Sequence, residues 1–299
     1  MRGIDMKQII QATAISLWAI SVLLFVPATG SAKPPVWISQ LVFPPPQTVS
    51  NPAFLTLDME RQRYYVVDTQ KKRLLSFDQE GTPLGEFDVA GGLVLPTAMT
   101  FARPGKMWLV ERSTNSLLYV DLKTQEIRTF SPHGTDGKPL VPDHIATDSE
   151  HRLYVSDRLS GRVYALDDNL KVAAAFAPQA GGQFVDFKIK DNVLWALERV
   201  EQVIYQFDLN GQQKKRITLQ QKLDTPVSLE INSQQQIFIL DRAVGKVYRF
   251  AKGGQHLDSF GQKGYRRGQF NYPSQLIFDW QQRLCVVNQG NDRIEVFSH

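Results

Sequence analysis

Short apolar runs alternate with polar turns along the chain from about residue 35 onward, and one kind of run recurs at a fixed interval. Its copies end in an acidic or amide side chain and return about every 44 positions, a period typical of repeat architectures. The last residues of the six copies are Asp68, Glu111, Asp157, Glu198, Asp241 and Asn288. The pattern predicts six copies of one structural unit.

Each copy has the pattern of four short β-strands. An opening residue precedes an apolar stretch, a polar turn, the run that ends in the acid, a third strand and a weaker fourth strand. The opening residues are Pro52, Pro96, Pro142, Phe184, Pro226 and Pro273. Short β-branched and aromatic strands separated by Gly, Asn, Asp and Pro are typical of antiparallel propeller blades. The sequence therefore predicts an all-β fold, a six-bladed β-propeller over residues 33–299.

The last copy has only three strands and ends at residues 294–297. Residues 36–43, near the other end of the chain, have a strand pattern and belong to no copy. We expect this N-terminal strand to complete the sixth blade and close the ring, because an open propeller would leave an unpaired edge.

The N-terminus has the pattern of a secretory signal peptide. Arg2 and Lys7 precede a largely apolar stretch at 9–26, and Pro27 and the small residues 30–32 follow it. We expect cleavage after Ala32 and export to the periplasm or the medium. The alternative is an uncleaved N-terminal membrane anchor. The sequence after residue 32 contains no further apolar stretch long enough to predict a membrane span.

Charge and cysteine content narrow the function classes. The net charge is +4, or +3 without residues 1–32, which is too weak and too scattered to predict nucleic-acid binding. Cys285 is the only cysteine, so no intramolecular disulfide can form, and its strand pattern predicts a small buried hydrophobe.

The junction of copies five and six carries a motif, Phe260-Gly261-x-x-Gly264-x-x-x-Gly268-Gln269-Phe270-x-x-Pro273, followed by residues 291–297. This motif resembles the NHL repeat, and the resemblance extends over residues 33–299. It is weaker in copies two and four, where Leu117 and Val203 replace a favoured basic residue. The resemblance implies a six-bladed NHL-type propeller. It does not imply one activity, because similar propellers include protein-binding scaffolds, RNA-binding surfaces, lyases and hydrolases.

We interpret the six recurring acidic or amide residues as structural. Short Asp and Asn side chains bond nearby backbone amides, so they are expected to cap the turn between the second and third strands. Each is also expected to pair with a basic residue five or six positions later, where one is present. Those bases are Arg73, Arg162, Lys246 and Arg293.

An arginine follows the acid in four consecutive copies. These residues are Arg112, Arg158, Arg199 and Arg242, with Thr69 and Gln289 in the first and last copies. Propeller topology predicts an arc of guanidinium groups around one mouth of the channel, suited to carboxylate or phosphate. The alternative is that each arginine pairs with a nearby acid or points into water, where such pairs contribute little.

The innermost strands supply a second candidate set. Two positions beyond the opening residue lie His144, Asp186, Ser228 and Gln275, which we expect at the same mouth as ligand contacts. His144 is the one weak candidate for acid–base catalysis. The alternative is an ordinary polar, water-filled channel lining.

No metal or cofactor is expected from the sequence. The histidines are His133, His144, His151, His256 and His299, and no two of them occupy the same repeat position. Catalytic zinc usually has three protein ligands.

The sequence favours an exported, non-catalytic binding or scaffold propeller that engages an acidic protein or an anionic glycan through its arginine-bearing face. One alternative is a lyase or hydrolase acting at the channel mouth with His144 as acid or base. The other is a structural subunit of an envelope complex. We expect a monomer or a component of such a complex.

Overall fold

The computed structural model describes residues 35–42, 44–45, 48–88 and 91–298. The predicted signal peptide at 1–32 lies outside these residues. Within them, no helix is long and apolar enough to cross a membrane. They form six four-stranded antiparallel sheets, which confirms the predicted all-β, six-bladed propeller.

Blades 1 to 3 contain strands β2 to β13, in chain order from the inside of the ring outward. Their bounds are Pro52–Asp58, Arg63–Asp68, Arg73–Phe77 and Pro83–Phe87 in blade 1; Pro96–Arg103, Lys106–Glu111, Ser116–Asp121 and Ile127–Phe130 in blade 2; and Pro142–Thr147, Leu153–Asp157, Arg162–Leu166 and Val172–Phe176 in blade 3.

Blades 4 to 6 contain strands β14 to β24 together with β1. Their bounds are Phe184–Lys190, Val193–Glu198, Val203–Asp208 and Gln213–Thr218 in blade 4; Pro226–Ile231, Ile237–Asp241, Lys246–Phe250 and His256–Phe260 in blade 5; and Pro273–Phe278, Leu284–Asn288 and Arg293–Phe297, with β1 at Trp37–Leu41, in blade 6. Turns of 3-10 helix lie at Gln179–Gly181 and Gln289–Asn291.

The ring is closed by β1, as the sequence predicts. This strand pairs antiparallel with β24, with Leu41 opposite Ile294, and so becomes the outer strand of the last blade. The inner strands of neighbouring blades contact one another around the ring, and β22 of blade 6 contacts β2 of blade 1. The first and last segments of the propeller therefore hold each other in place.

The apolar core lies between neighbouring blades rather than along the axis. One cluster joins blades 6 and 1 and contains Leu41, Leu55, Val66 and Cys285. Cys285 is buried as expected, and its burial raises the pKa of the thiol. Equivalent clusters join the other blades, so each blade depends on its neighbours for burial of its faces.

The acidic or amide residue at the end of each second strand fixes the segment that leads into the inner strand. Its side-chain oxygen accepts a hydrogen bond from a backbone N–H one or two residues before the opening residue, at 2.8 to 3.4 Å. The six donors are the backbone N–H groups of Ser50, Leu95, Val141, Gln183, Thr225 and Asn271. The five carboxylates also accept N–H groups of the turn that follows them, for example that of Ser160 to Asp157.

The expected pairing of these residues with the later bases is found only in blade 1 of the described chain. There Arg73 Nε lies 3.0 Å from Asp68 Oδ2. Arg293 pairs instead with Glu295 at 2.5 Å, and neither Arg162 nor Lys246 contacts its acid in this way. Backbone amides already occupy both carboxylate oxygens of Asp157 and Asp241, and Asn288 carries no charge to pair with Arg293.

Replacing Leu41 by Ala tests the closure of the ring. Leu41 is 2% exposed within the cluster between blades 6 and 1. The substitution should lower the free energy of unfolding by about 2–5 kcal/mol, as for other buried leucines, in urea denaturation followed by circular dichroism. Ile38→Ala on the same strand is the matched control, because Ile38 is 45% exposed, and it should cost less than about 1 kcal/mol. Equal small losses in both variants would contradict the packing of β1.

Candidate functional site

A cavity of about 390 Å³ lies at the end of the ring where the inner strands begin. Its lining includes all four predicted arginines, Arg112, Arg158, Arg199 and Arg242. Gln289 of blade 6 occupies the same repeat position and also lines it. Thr69 of blade 1 does not, because its side chain is buried and donates to the carbonyl of Pro96 at 2.7 Å.

The backbone of each arginine is hydrogen-bonded to the segment that leads into the inner strand, the same segment to which the preceding acid bonds. The N–H group of each arginine donates to a carbonyl just before the inner strand of its own blade, at 2.9 to 3.4 Å. These acceptors are the carbonyls of Leu95, Val141, Gln183 and Thr225. Acid and arginine are adjacent in sequence, so two hydrogen bonds fix the position from which each guanidinium extends.

The four guanidinium groups differ in what they contact. Arg112 pairs with Asp143, while its buried Nε has no hydrogen-bond partner among the described residues. Arg242 Nε donates to the carbonyl of Pro273 at 3.1 Å. Burial lowers the pKa of Arg242, an effect that Tyr272 and Asp143 oppose.

Arg158 and Arg199 are the exposed members of the set. In the described part of the chain, neither side chain has a hydrogen bond or an ion pair with another residue. An unpaired guanidinium keeps its five N–H donors for a ligand. The alternative is that each arginine pairs with a nearby acid or points into water; Arg112 has such a pair, and Arg158 and Arg199 are exposed without one.

Asp143 and His144 form a second contact pair in the cavity. His144 Nδ1 lies 3.5 Å from Asp143 Oδ2, and the histidine side chain is 24% exposed. Burial on its own would raise the pKa of Asp143, but the hydrogen bond to His144 and the charges of His144, Arg112 and Arg158 outweigh it and lower the pKa to about 2.

The pKa of His144 moves in the opposite direction. Burial lowers it, whereas the hydrogen bond and charge of Asp143, together with the charge of Asp186, raise it above its ordinary value near 6.5. The histidine therefore carries more positive charge at neutral pH than an isolated imidazole would.

A bulge at the start of each inner strand decides which side chains face the cavity. The register with the second strand shifts just after each opening residue, as between Pro96 and Ala98. A bulge re-aims the side chains beside it, and here the residue directly after the opening residue lines the cavity. These residues are Ala53, Thr97, Asp143, Val185, Val227 and Ser274. From the sequence, the cavity position was assigned to the second residue after the opening residue, and Asp143, the first residue, was therefore missed.

Asp186, Ser228 and Gln275 do not line the cavity, in contrast to the expectation from the sequence. They are buried between inner strands, where the Ser228 hydroxyl donates to Asp186 Oδ2 at 2.6 Å. Gln275 accepts the N–H of Leu55 at 2.7 Å and donates to its carbonyl at 3.0 Å. These side chains join blades 4, 5, 6 and 1.

His144, and Phe54 in blade 1, occupy the same repeat position as these three yet do line the cavity. In blade 3 the register shift extends one residue further, to Ile145, and the N–H of His144 donates to the Ser156 side chain at 2.8 Å. Such a difference in one bulge cannot be predicted from residue types.

The described residues contain no group of three or more His, Cys, Asp or Glu side chains placed to hold a metal ion. The acids of the cavity, Asp143 and Asp157, are both engaged in the contacts described above. The cavity therefore offers the unpaired guanidinium groups of Arg158 and Arg199 to a ligand, beside Arg112, Arg242 and His144, which have partners within the protein.

No family model matches the chain, and no curated protein matches it in sequence. Its fold is similar to that of a streptogramin B lyase structure, with a TM-score of 0.65 and 13% identity over 87% of this chain and 96% of that one. A gluconolactonase from Xanthomonas campestris gives a TM-score of 0.63 and 13% identity over 89% and 97%. An auxiliary nutrient binding protein from Bacteroides thetaiotaomicron gives 0.62 and 15% over 84% and 70%. Identities this low show the fold alone, and the chain is a six-bladed β-propeller structurally related to these lyase, lactonase and nutrient-binding structures.

Proposed function

We propose that the protein is an exported, NHL-type propeller that binds an anionic ligand in the arginine-lined cavity and acts as a binding or scaffold module. The observation that carries this proposal is the pair of exposed, unpaired guanidinium groups of Arg158 and Arg199 beside Arg112 and Arg242. The export step rests on the signal-peptide pattern at residues 1–32, and the NHL assignment rests on the motif at residues 260–273.

Charge and size both support an anion. Like charges that converge on a concave surface raise the local concentration of counter-ions, and arginine presents a planar donor fork that matches carboxylate or phosphate. A volume of about 390 Å³ lies within the range of small-ligand pockets. A cavity of this volume can hold one acidic group together with the atoms next to it in the ligand. That group can belong to a protein segment or to an anionic glycan.

Reversing the charge of Arg158 and Arg199 should remove binding. Charge-assisted hydrogen bonds contribute about 1.5–3 kcal/mol each, so the double variant Arg158→Glu, Arg199→Glu should weaken binding by at least about 100-fold. The measurement is calorimetric titration at low salt with triglutamate as the acidic peptide and trigalacturonate as the acidic glycan.

The matched control is Arg63→Glu, Arg103→Glu. Both residues are exposed and lie at the opposite end of the strands, so the change in net charge is the same. This control should bind like the wild type. Equal weakening in both double variants would mean that net charge rather than the cavity determines binding. Unchanged ligand binding by the Arg158→Glu, Arg199→Glu variant would exclude this site. It would favour a structural subunit that docks through a blade edge.

The raised pKa of His144 predicts a pH dependence. Because this pKa lies above 6.5, the imidazolium adds a positive charge to the cavity below it and loses that charge as the pH rises through it. The side-chain carboxylates of triglutamate titrate at about pH 4.3 and the pKa of Asp143 is about 2, so neither changes charge at neutral pH. The peptide is N-acetylated for this titration, because its free α-amino group would titrate at about pH 8. Affinity for triglutamate should therefore fall as the pH rises through the His144 pKa. The step should be absent in His144→Gln, and an identical profile in that variant would contradict the assignment.

A lyase or hydrolase is the second candidate, and the Asp143–His144 pair is the observation that favours it. A carboxylate that orients an imidazole is a common arrangement for a general acid or base, and the surrounding arginines would stabilise a developing anion. Assays of the wild type and His144→Ala on streptogramin B and on gluconolactone test it, because these compounds correspond to the reactions named for two similar structures. Turnover by the wild type that His144→Ala abolishes, with triglutamate binding retained, would establish the enzyme. No turnover on either compound is the result expected of the binding module.

A further inference from the structure

The loops around the arginine cavity expose apolar side chains. Leu159 and Val200 are 70% and 77% exposed, and they directly follow Arg158 and Arg199 in sequence. Val94 and Tyr272 are 51% and 64% exposed and lie just before the inner strands of blades 2 and 6. We call Val94, Leu159, Val200 and Tyr272 the apolar rim. Exposed apolar side chains grouped on one face typically mark an interaction surface.

The opposite end of the propeller has a different character. Its turns between first and second strands are built on polar side chains that accept local backbone amides, as at Asp148, Asn232 and Asp279. In these turns, which the structure describes in full, Met59 is the only large apolar side chain that is strongly exposed. The combination of exposed apolar side chains found in the apolar rim is therefore not repeated in the turns between first and second strands at the opposite end.

The turn geometry presents a guanidinium and an aliphatic side chain next to each other. Asp157 accepts the N–H of Leu159 at 3.4 Å, and Glu198 accepts that of Val200 at 3.0 Å. The carboxylates thus hold the turns in which Arg158 lines the cavity and Leu159 points into solvent, and likewise Arg199 and Val200. Two adjacent blades repeat the same combination.

Tyr272 supports the same interpretation through its backbone. Its φ of 46° lies in the left-handed region, which bulky residues rarely adopt. The equivalent residue of blade 1 is Asn51, with φ 55°, and asparagine tolerates this region well. In this conformation Tyr272 is 64% exposed, and it lies close enough to Arg242 to influence the pKa of that residue.

We propose that the ligand of the arginine cavity is a protein segment in which an Asp or Glu is flanked by apolar residues. The carboxylate contacts Arg158 and Arg199, and the flanking side chains pack on the apolar rim. This inference rests on the proposed function, of which it specifies the partner. It selects a protein over a glycan because aliphatic rim residues such as Leu159 and Val200 gain free energy by covering apolar surface, whereas an acidic glycan presents mainly hydroxyl and carboxylate groups.

A peptide display library tests the proposal. The library contains nine-residue peptides with a fixed central glutamate and randomised flanks, and it is selected on the wild-type protein. Enriched peptides should carry Leu, Ile, Phe, Tyr or Trp next to the glutamate. The double variant Leu159→Ser, Val200→Ser should bind a selected peptide at least about tenfold more weakly than the wild type does.

The control for surface apolarity is Met59→Ser, Leu84→Ser. These residues are 56% and 48% exposed, Met59 at the opposite end and Leu84 on the outer strand of blade 1, and their loss should leave peptide binding unchanged. The rim variant should also keep the wild-type affinity for triglutamate, because its arginines are intact.

The proposal would be overturned by no enrichment of peptides, by enrichment of polar flanks, or by peptide binding that the Leu159→Ser, Val200→Ser variant does not weaken. Tighter binding of trigalacturonate than of every selected peptide would also overturn it in favour of a glycan. In each case retained triglutamate binding, sensitive to Arg158→Glu, Arg199→Glu, would leave the anion site standing. Loss of triglutamate binding by the wild type would instead refute the proposed function itself.

Discussion

The carboxylate or amide at the end of each second strand is the interaction on which the cavity depends. It accepts an amide from the segment that leads into the inner strand, and the carboxylates also accept amides from the turn that follows. A buried carboxylate without hydrogen-bond donors would destabilise the folded state. Each of these side chains therefore restrains two stretches of backbone that are about 16 residues apart in sequence. The residue after it, fixed by its own backbone hydrogen bond, extends into the cavity. A fold interaction repeated six times thus determines where any functional side chain at the next position points.

This arrangement distinguishes the acidic or amide residue, which every blade has, from the arginine after it, which only blades 2 to 5 have. All six copies have an acidic or amide side chain at the end of the second strand, but not an arginine after it, since Thr69 and Gln289 occupy that position in blades 1 and 6. Arg112 and Arg242 bond to other parts of the protein, whereas the side chains of Arg158 and Arg199 have no hydrogen bond or ion pair with any described residue. The two unpaired guanidinium groups belong to adjacent blades 3 and 4, and the same two turns carry Leu159 and Val200. The two unpaired guanidinium groups and two of the four rim residues therefore lie together on blades 3 and 4.

The fold could be predicted from the sequence because the residues that define the strands and turns recur at a fixed period. The opening prolines, the recurring acids and the incomplete last copy were enough to place the strands and the closing strand β1. The arginines could be placed at one mouth for the same reason, because they follow the acid directly. Sequence reasoning was less successful with the inner strands, where it missed Asp143 and placed Asp186, Ser228 and Gln275 at the cavity. A bulge of one residue turns a strand's side chains to the other face, and nothing in the residue types marks where the bulge ends.

The similar structures named as a lyase, a lactonase and a nutrient binding protein show that this architecture accommodates catalysis and binding alike. The central claim is therefore about the cavity itself, and the most direct test is a titration of arginine side-chain Nε–H signals by NMR with triglutamate. We predict that the Arg158 and Arg199 signals shift together and saturate at one affinity, while those of Arg63 and Arg103 at the opposite end do not move. Uniform small shifts of all four signals, or shifts confined to arginines outside the cavity, would contradict the account.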